Sequence, residues 1–350
     1  MDEERLGEFV GRVVSDLAAA ESAAVAYLGD RLGLYRALAG AGPLTPAELA
    51  GRTRTNERLV REWLHNQVAG GYVGHDARTG TFELPAEHAA VLADESSSVF
   101  LAGVLEIVAA MWADAGHVES AFRGDGGLHW GHHDERLYSG TERLFAPIYR
   151  SQLTSEWIPA LDGVEQKLRA GARVADVGCG TGVSTVVLAQ TYGASRFVGS
   201  DVHAGSVETA RRRATEAGVD DRVDFRVEDA TAFSGSGFDL VCFLDSLHDM
   251  GDPVAAAARA RASLAPGGTL LVVEPMAQDR LEDNVNPVSR LYYAGSVFLC
   301  TPSSLAQDPG TGLGAQAGPT RLVEVLRAAG FPRVRVALET PFNLVLEARS

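Results

Sequence analysis

Nine residues, VADVGCGTG at Val174–Gly182, constrain this 350-residue chain more than any other stretch. An apolar run enters a loop carrying Gly178, Gly180 and Gly182, and the loop opens into the helix-forming VSTVVLAQTYG. About twenty residues on, a second apolar strand (Phe197–Val202) ends on an acid, Asp201, as the fingerprint of a dinucleotide-type strand–loop–helix–strand unit expects. Glycines let a ligand lie on bare backbone, and a helix N-terminus offers unpaired N–H groups to an anion. A carboxylate at the tip of the next strand is placed to accept both hydroxyls of a ribose. The chain is therefore expected to bind a nucleoside-bearing cofactor.

The spacing narrows which one. Nicotinamide and flavin sites use G-x-G-x-x-G, whose third glycine lets the helix pack closely on the strand. Here the spacing is G-x-G-x-G, Val183 stands where that third glycine belongs, and Asp176 sits two residues before the first. This form resembles motif I of the class I S-adenosylmethionine (SAM)-dependent methyltransferases, whose ligand carries a methionine carboxylate and ammonium and no pyrophosphate. An acid near the loop suits the ammonium and repels a pyrophosphate. Downstream segments follow that family in order: VEDATAF with Asp229 and Ala230, FDLVCFLD at Phe238–Asp245, LAPGGTLLVVEP at Leu264–Pro275, and VRVALETPFNLVLEAR as the closing antiparallel hairpin. The resemblance covers residues 166–350. It implies an α/β fold, a Rossmann-like seven-stranded sheet with an antiparallel last strand. It also implies SAM as cofactor, held by Asp176, Gly178, Gly180, Gly182, Asp201, Val202, Asp229, Ala230 and Leu244.

Residues 1–95 differ in texture. YLGDRLGLYRALA is expected as one amphipathic helix, with Leu28, Leu32, Leu34, Tyr35 and Leu38 at helical spacing. LTPAELAGRTRTNERLVREWLHNQVAGGYV follows as helix, turn, helix: Thr45 is the expected N-cap, with Pro46 at the first helical position and Glu48 completing a capping box. Asn56 is placed to cap the next helix, whose inner face is Val60, Trp63, Leu64 and Val68. Two short strands round a Thr-Gly turn in GYVGHDARTGTFEL complete a winged-helix pattern.

Such a module invites a DNA-binding reading. Residues 1–95 hold nine Arg, no Lys and fifteen acids within a chain of net charge −15, the wrong sign for neutralising phosphates. A winged helix ahead of a methyltransferase domain is instead similar to bacterial and plant small-molecule O-methyltransferases, in which it dimerises and helps close the acceptor pocket. A homodimer held through residues 1–95 is expected, because Phe9, Val13, Val14 and Leu17 form an apolar face on the first helix that needs a partner.

Residues 96–165 are expected to be a helical linker and acceptor-pocket lid. Ser96–Phe122 is apolar enough to be buried, with Met111 and Trp112 available to a pocket. GDGGLHWGHHDERLYSG forms a loop, read as a solvated connection, an acceptor lid, or a metal contact through His129, His132 or His133. Those spacings match no zinc signature, and no metal is assigned. Cys179, Cys242 and Cys300 likewise lack ligand spacing and read as reduced thiols of a cytoplasmic protein. The first residues are acidic, unlike a secretory leader, and the most apolar run, Val99–Trp112, is too short to span a bilayer. No nucleic-acid or membrane partner is expected.

Ligands of open α/β sheets bind outside the carboxyl ends of the strands. Two polar signals fall there. DSLHDMGDP places His248 just past the fourth strand of the sheet, and the fifth ends on Glu274. The HD of LHDM resembles the HDW segment of caffeate-type O-methyltransferases, which implies His248 as general base and Glu274 as the carboxylate that orients it. Met250 replaces that family's Trp. The segment EPMAQDRLEDNVNPVSRLYYAGSVFLCTPSSLAQ looks closer to a bacterial branch of winged-helix methyltransferases, and is also similar to iron-assisted α-keto acid C-methyltransferases, where a histidine of this region is a metal ligand. Asn284, Tyr292 and Tyr293 (with Asn286) are candidates to line the acceptor site. The function expected is methyl transfer to oxygen of a small aromatic or secondary-metabolite acceptor. The alternatives are C- or N-methylation, with or without a metal, and a cofactor-sensing transcription regulator.

Overall fold

The computed structural model describes residues 1–124 and 126–350, which form two compact units. One comprises Met1–Ala109 with Ser139–Pro147, the other Ala110–Tyr138 with Ile148–Ser350. The chain thus passes between them three times along the stretch expected to be a linker.

In the first unit, Thr45 and Glu48 form the reciprocal capping box: Glu48 N donates to Thr45 Oγ1 at 3.3 Å and Thr45 N to Glu48 Oε2 at 2.7 Å. The helix so started, Pro46–Thr53, is followed by Glu57–Ala69, capped by the Asn56 side chain. Its buried side carries Val60, Trp63 and Leu64. Strands β1 (Gly74–Asp76) and β2 (Thr81–Glu83) pair antiparallel as the wing. The expected single helix over YLGDRLGLYRALA is two. A long helix, Glu3–Arg31, stops, and Leu34–Leu38 begins after Gly33 at φ 73°. Only glycine takes that left-handed turn cheaply, and the break leaves Leu28 and Leu32 half-exposed while Leu34, Tyr35 and Leu38 enter the core. Phe9 and Leu17 are 61% and 59% exposed.

The second unit is built on seven strands: β3 (Arg173–Val177), β4 (Arg196–Asp201), β5 (Val223–Val227), β6 (Phe238–Leu244), β7 (Leu264–Pro275), β8 (Arg333–Glu339) and β9 (Asn343–Arg349). Their order is β5-β4-β3-β6-β7-β9-β8. β9 runs antiparallel to both of its neighbours and the other pairings are parallel. Side chains alternate between two apolar layers, as the two-residue strand period dictates. Val174, Leu240, Cys242, Leu271 and Val273 face one layer; Ala175, Val177, Val241, Phe243, Leu270 and Val272 face the other. The strand order reverses at β3, flanked by β4 and β6, so the crevice for a ligand opens at the carboxyl end of β3.

Ser96–Phe122 is not buried as a whole. The helix starts at Gly103; Glu106, Ala110, Asp114 and Val118, four apart, are buried, while Trp112 and Phe122 are 72% and 77% exposed. A single helical stripe is covered, because four-residue spacing follows one face. Among the described residues no helix is long and apolar enough to cross a membrane.

Candidate active site

The glycine loop is shaped by sterics at two of its three glycines. Gly178, Gly180 and Gly182 all take positive φ, 74°, 52° and 76°. A Cβ on Gly178 would lie 2.7 Å from Cβ of Ser246, and one on Gly182 2.7 Å from Cβ of Ala210 and from the Phe225 ring. Gly182 thus provides the close packing that the dinucleotide fingerprint assigns to a glycine one residue later, where Val183 stands. In front of Gly180 the space is open, with nothing within 4 Å of a Cβ built there. Gly178 N and Cys179 N donate to Ser200 O at 2.8 and 3.0 Å, tying the loop to the end of β4.

Two carboxylates frame the loop. Asp176 is buried; Ser184 Oγ and Thr185 Oγ1 each donate to its Oδ2 at 2.6 Å, and Oδ1 is buried without a hydrogen-bond partner. Burial raises its pKa, with the two hydroxyls opposing. An unpaired buried carboxylate oxygen beside bare backbone is what an ammonium group satisfies. Asp201 accepts from Gly180 N at 2.8 Å and His203 N at 2.9 Å, one bond per oxygen, leaving each a free lone pair for a hydroxyl. Val202, just past the end of β4, and Val227, the last residue of β5, are 44% and 49% exposed. Asp229 lies in an exposed turn that it fixes by accepting from Thr231 N at 2.7 Å; Ala230 is partly buried beside it and Leu244 is buried. These residues fit a nucleoside with an amino-acid tail.

At the ends of β6 and β7 the charges crowd together. Glu274 Oε1 accepts from Leu247 N at 3.1 Å, and Oε2 bonds His248 Nδ1. On the other side of the ring, Nε2 lies 3.3 Å from Asp249 Oδ1, at an angle that leaves this oxygen without a hydrogen bond. Burial works against a charge on His248, yet Glu274 and Asp249 outweigh it and hold the pKa well above the ordinary imidazole value. Asp245, at φ 56°, has a buried Oδ1 with no hydrogen-bond partner; burial, with Glu274 and Asp249 adding to it against His248, pushes its pKa up to about 7.

Three neighbours carry no signal in the sequence motifs. Tyr149 bonds Leu244 O at 3.4 Å, and burial followed by Asp245 and Asp176 raises its pKa. It begins a π-helical stretch, Tyr149–Trp157, and a second one, Ser296–Cys300, brings Cys300 beside His248. Such wide turns break the 3.6-residue periodicity on which sequence reading depends. Asp245 was legible only as the end of a strand.

The acceptor-site candidates differ in exposure and in bonding partners. Tyr292 donates to Phe342 O at 2.9 Å, and Asp245 and His248 act on its hydroxyl, so it borders the charged cluster. Tyr293 is exposed, Trp112 points to solvent and Met111 is half-buried. Asn284 is buried and spends its amide on backbone: it accepts from Gln278 N and donates to Gln278 O and Arg280 O. In the histidine loop, His133 is buried against Asp114 Oδ2 at 2.8 Å, and His129 accepts from Gly131 N. Among the described residues these histidines join no metal-sized group of ligating side chains. The loop instead lies beside the end of β4: Tyr138 stacks on His203, ring centroids 4.4 Å apart, and donates to Trp130 O.

Comparison with known families agrees with this layout. A family model described as a methyltransferase domain matches residues 168–325, and a model of the Rv2258c-like winged HTH domain matches residues 20–94. The chain carries a methyltransferase domain. Over 105 residues it is 40% identical to the 27-O-demethylrifamycin SV methyltransferase of Amycolatopsis mediterranei, a match covering 29% of this chain and 38% of that protein. Matches to curated relatives span from 24% to 57% of those proteins' lengths. Among solved structures, mitomycin 7-O-methyltransferase superposes with a TM-score of 0.74 at 19% identity, covering 100% of both chains. Human N-acetylserotonin methyltransferase, solved in complex with SAM, gives 0.70 at 20% identity over 97% of each chain. At these identities the structures share the fold of the methyltransferase domain and the winged helix.

Proposed function

We propose that this protein transfers the methyl group of SAM to a hydroxyl oxygen of a small aromatic or secondary-metabolite acceptor, with His248 as general base. The observation that carries the reading is the pair of Glu274, near the end of β7, and His248, just past the end of β6, on the same sheet edge as a glycine loop with an unpaired buried carboxylate oxygen. Asp176 would hold the ammonium of the cofactor, Asp201 its ribose, and Asp229 and Ala230 its adenine, with Val202 and Leu244 also lining the cofactor site. Bound there, SAM supplies a methyl group on a positively charged sulfur.

The chain's own residues then have two tasks. Methyl transfer is an in-line displacement, so most of the rate comes from holding the acceptor oxygen at near-attack distance. A neutral hydroxyl is a weak nucleophile, and His248 is the group that removes its proton. Glu274 fixes Nδ1 and presents Nε2, the nitrogen that works. The two carboxylates that raise the pKa of His248 favour its protonated form, the product of proton abstraction. Drawing a cation into the neighbouring Asp176–Asp201 site opposes that, since like charges lower a base's hold on its proton.

The test is methyl transfer from radiolabelled SAM to a panel of phenols, α-keto acids and amines. Turnover confined to phenols or other hydroxyls supports the reading; turnover confined to amines, or to carbon of α-keto acids, replaces it with one of the alternatives. The exposed apolar residues Phe9, Val13, Val14 and Leu17 support a homodimer formed through the first unit. Light scattering at micromolar concentration should return twice the chain mass, and a monomer would refute the dimer.

A further inference from the structure

We propose that His248, Asp249 and Cys300 form a binding site for a thiophilic divalent cation, Zn²⁺ foremost, and that its occupancy withdraws His248 from catalysis. The second half rests on the reading of His248 as the base; the first half does not. Adjacent in sequence, His248 and Asp249 offer no metal spacing, and Cys300 is remote. The fold closes that gap, because the π-helical turn Ser296–Cys300 delivers the thiol, and one ligand atom from each residue lies within 4.8 Å of the others. Three ligand atoms on a tetrahedral zinc ion sit roughly 3.5 Å apart, given bonds of about 2.0–2.3 Å, so modest side-chain rotation closes the set.

Two further observations favour a metal over a mere contact. Glu274 holds Nδ1, which turns Nε2 toward Asp249 and Cys300; a carboxylate behind a histidine is the usual outer support of a metal-bound imidazole. Asp249 Oδ1 is buried, 3.3 Å from Nε2, and makes no hydrogen bond, a cost that a cation removes. Imidazole, thiolate and carboxylate together suit Zn²⁺ or Co²⁺ over Mg²⁺ or Ca²⁺. On binding, the Cys300 thiol and the imidazolium of His248 each release one proton to solvent, and the three lone pairs pass to the ion. With Nε2 on the metal, no lone pair remains for the acceptor's proton.

The experiment uses the full chain, stripped with a chelator and titrated with Co²⁺ under reducing conditions. One equivalent should produce a thiolate-to-cobalt charge-transfer band that Zn²⁺ displaces. Cys300→Ala should abolish the band and Asp249→Asn should weaken cobalt binding at least about tenfold, while calorimetry shows both variants still binding SAM and so still folded at the site. Absence of the band, or its survival in Cys300→Ala, overturns the site. On a methyl acceptor found with the panel, stoichiometric Zn²⁺ should inhibit and chelator restore turnover; activation by Zn²⁺ overturns the inhibitory half. No band with turnover that depends on His248 sinks the metal site alone; a band with a fully active His248→Gln sinks the base alone.

Discussion

The proposed cofactor end of the site and its proposed acceptor end sit on one edge of one sheet, yet they hold their carboxylates differently. At β3 and β4, Asp176 and Asp201 are held by hydroxyls and backbone N–H groups, so their positions are fixed before any ligand arrives. At β6 and β7, Asp245, Asp249 and Glu274 surround one imidazole, and two carboxylate oxygens there have no hydrogen-bond partner. The first arrangement suits binding, which profits from preorganisation. The second leaves charge incompletely compensated, and groups so placed change protonation state easily, which is what proton transfer requires.

The sharpest way to break this division is to remove the imidazole. His248→Gln should lower turnover by about 10²–10⁴-fold, the range for loss of a general base, and leave SAM affinity nearly unchanged. Steady-state methyl transfer and calorimetry on the same preparation check it. Full activity would reduce His248 to scaffold. A parallel loss of cofactor affinity would mean that the two ends are not separable.

The complementary change is Asp176→Asn. The amide keeps one oxygen for Ser184 and Thr185, so the loop should survive while the charge offered to the ammonium disappears. A charge-assisted hydrogen bond contributes about 1.5–3 kcal/mol, which corresponds to a loss of SAM affinity of roughly 10–100-fold. Turnover at saturating SAM should fall far less. An unchanged dissociation constant would remove Asp176 from the cofactor site.

The same contrast explains what the sequence could disclose. The cofactor end is written in contiguous motifs, because a strand, a glycine turn and a helix N-terminus are local and their residue preferences are steric. Strand order and the closing antiparallel hairpin were implied by the family resemblance, and the caps at Thr45 and Asn56 by their own side chains. At the acceptor end the sequence named His248, Glu274 and Tyr292. Tyr149 and Cys300 arrive on π-helical turns, which carry no periodic signature, and Asp245 is singled out by a left-handed backbone at a strand end. The break at Gly33 and the exposure of Trp112 escaped for a related reason: periodicity marks a stripe and leaves open where a helix stops or how much of it is covered.

The smallest expected effect concerns Asp245, and it asks whether the acceptor end costs stability as the crowding of carboxylates implies. Its pKa, pushed up to about 7 by burial first and then by Glu274 and Asp249, lies above the ordinary value of 3.8. The folded protein therefore binds a proton here more tightly than the unfolded chain does. Below pH ~4 both states hold the proton and the site costs nothing; as pH rises toward 7 the unfolded chain ionises freely while the folded one is held back, and stability falls. Above pH ~7 both are ionised and the cost levels off. Asp245→Asn removes the titration, so the variant should gain stability over the native chain by a margin that grows from pH 4 to pH 7 and then stays constant. One pKa unit corresponds to about 1.4 kcal/mol, and the margin should reach at least that. Denaturant unfolding of both proteins at pH 5 and pH 7, without cofactor, measures it. A margin that shrinks as pH rises would show instead that Asp245 is stabilised as the anion.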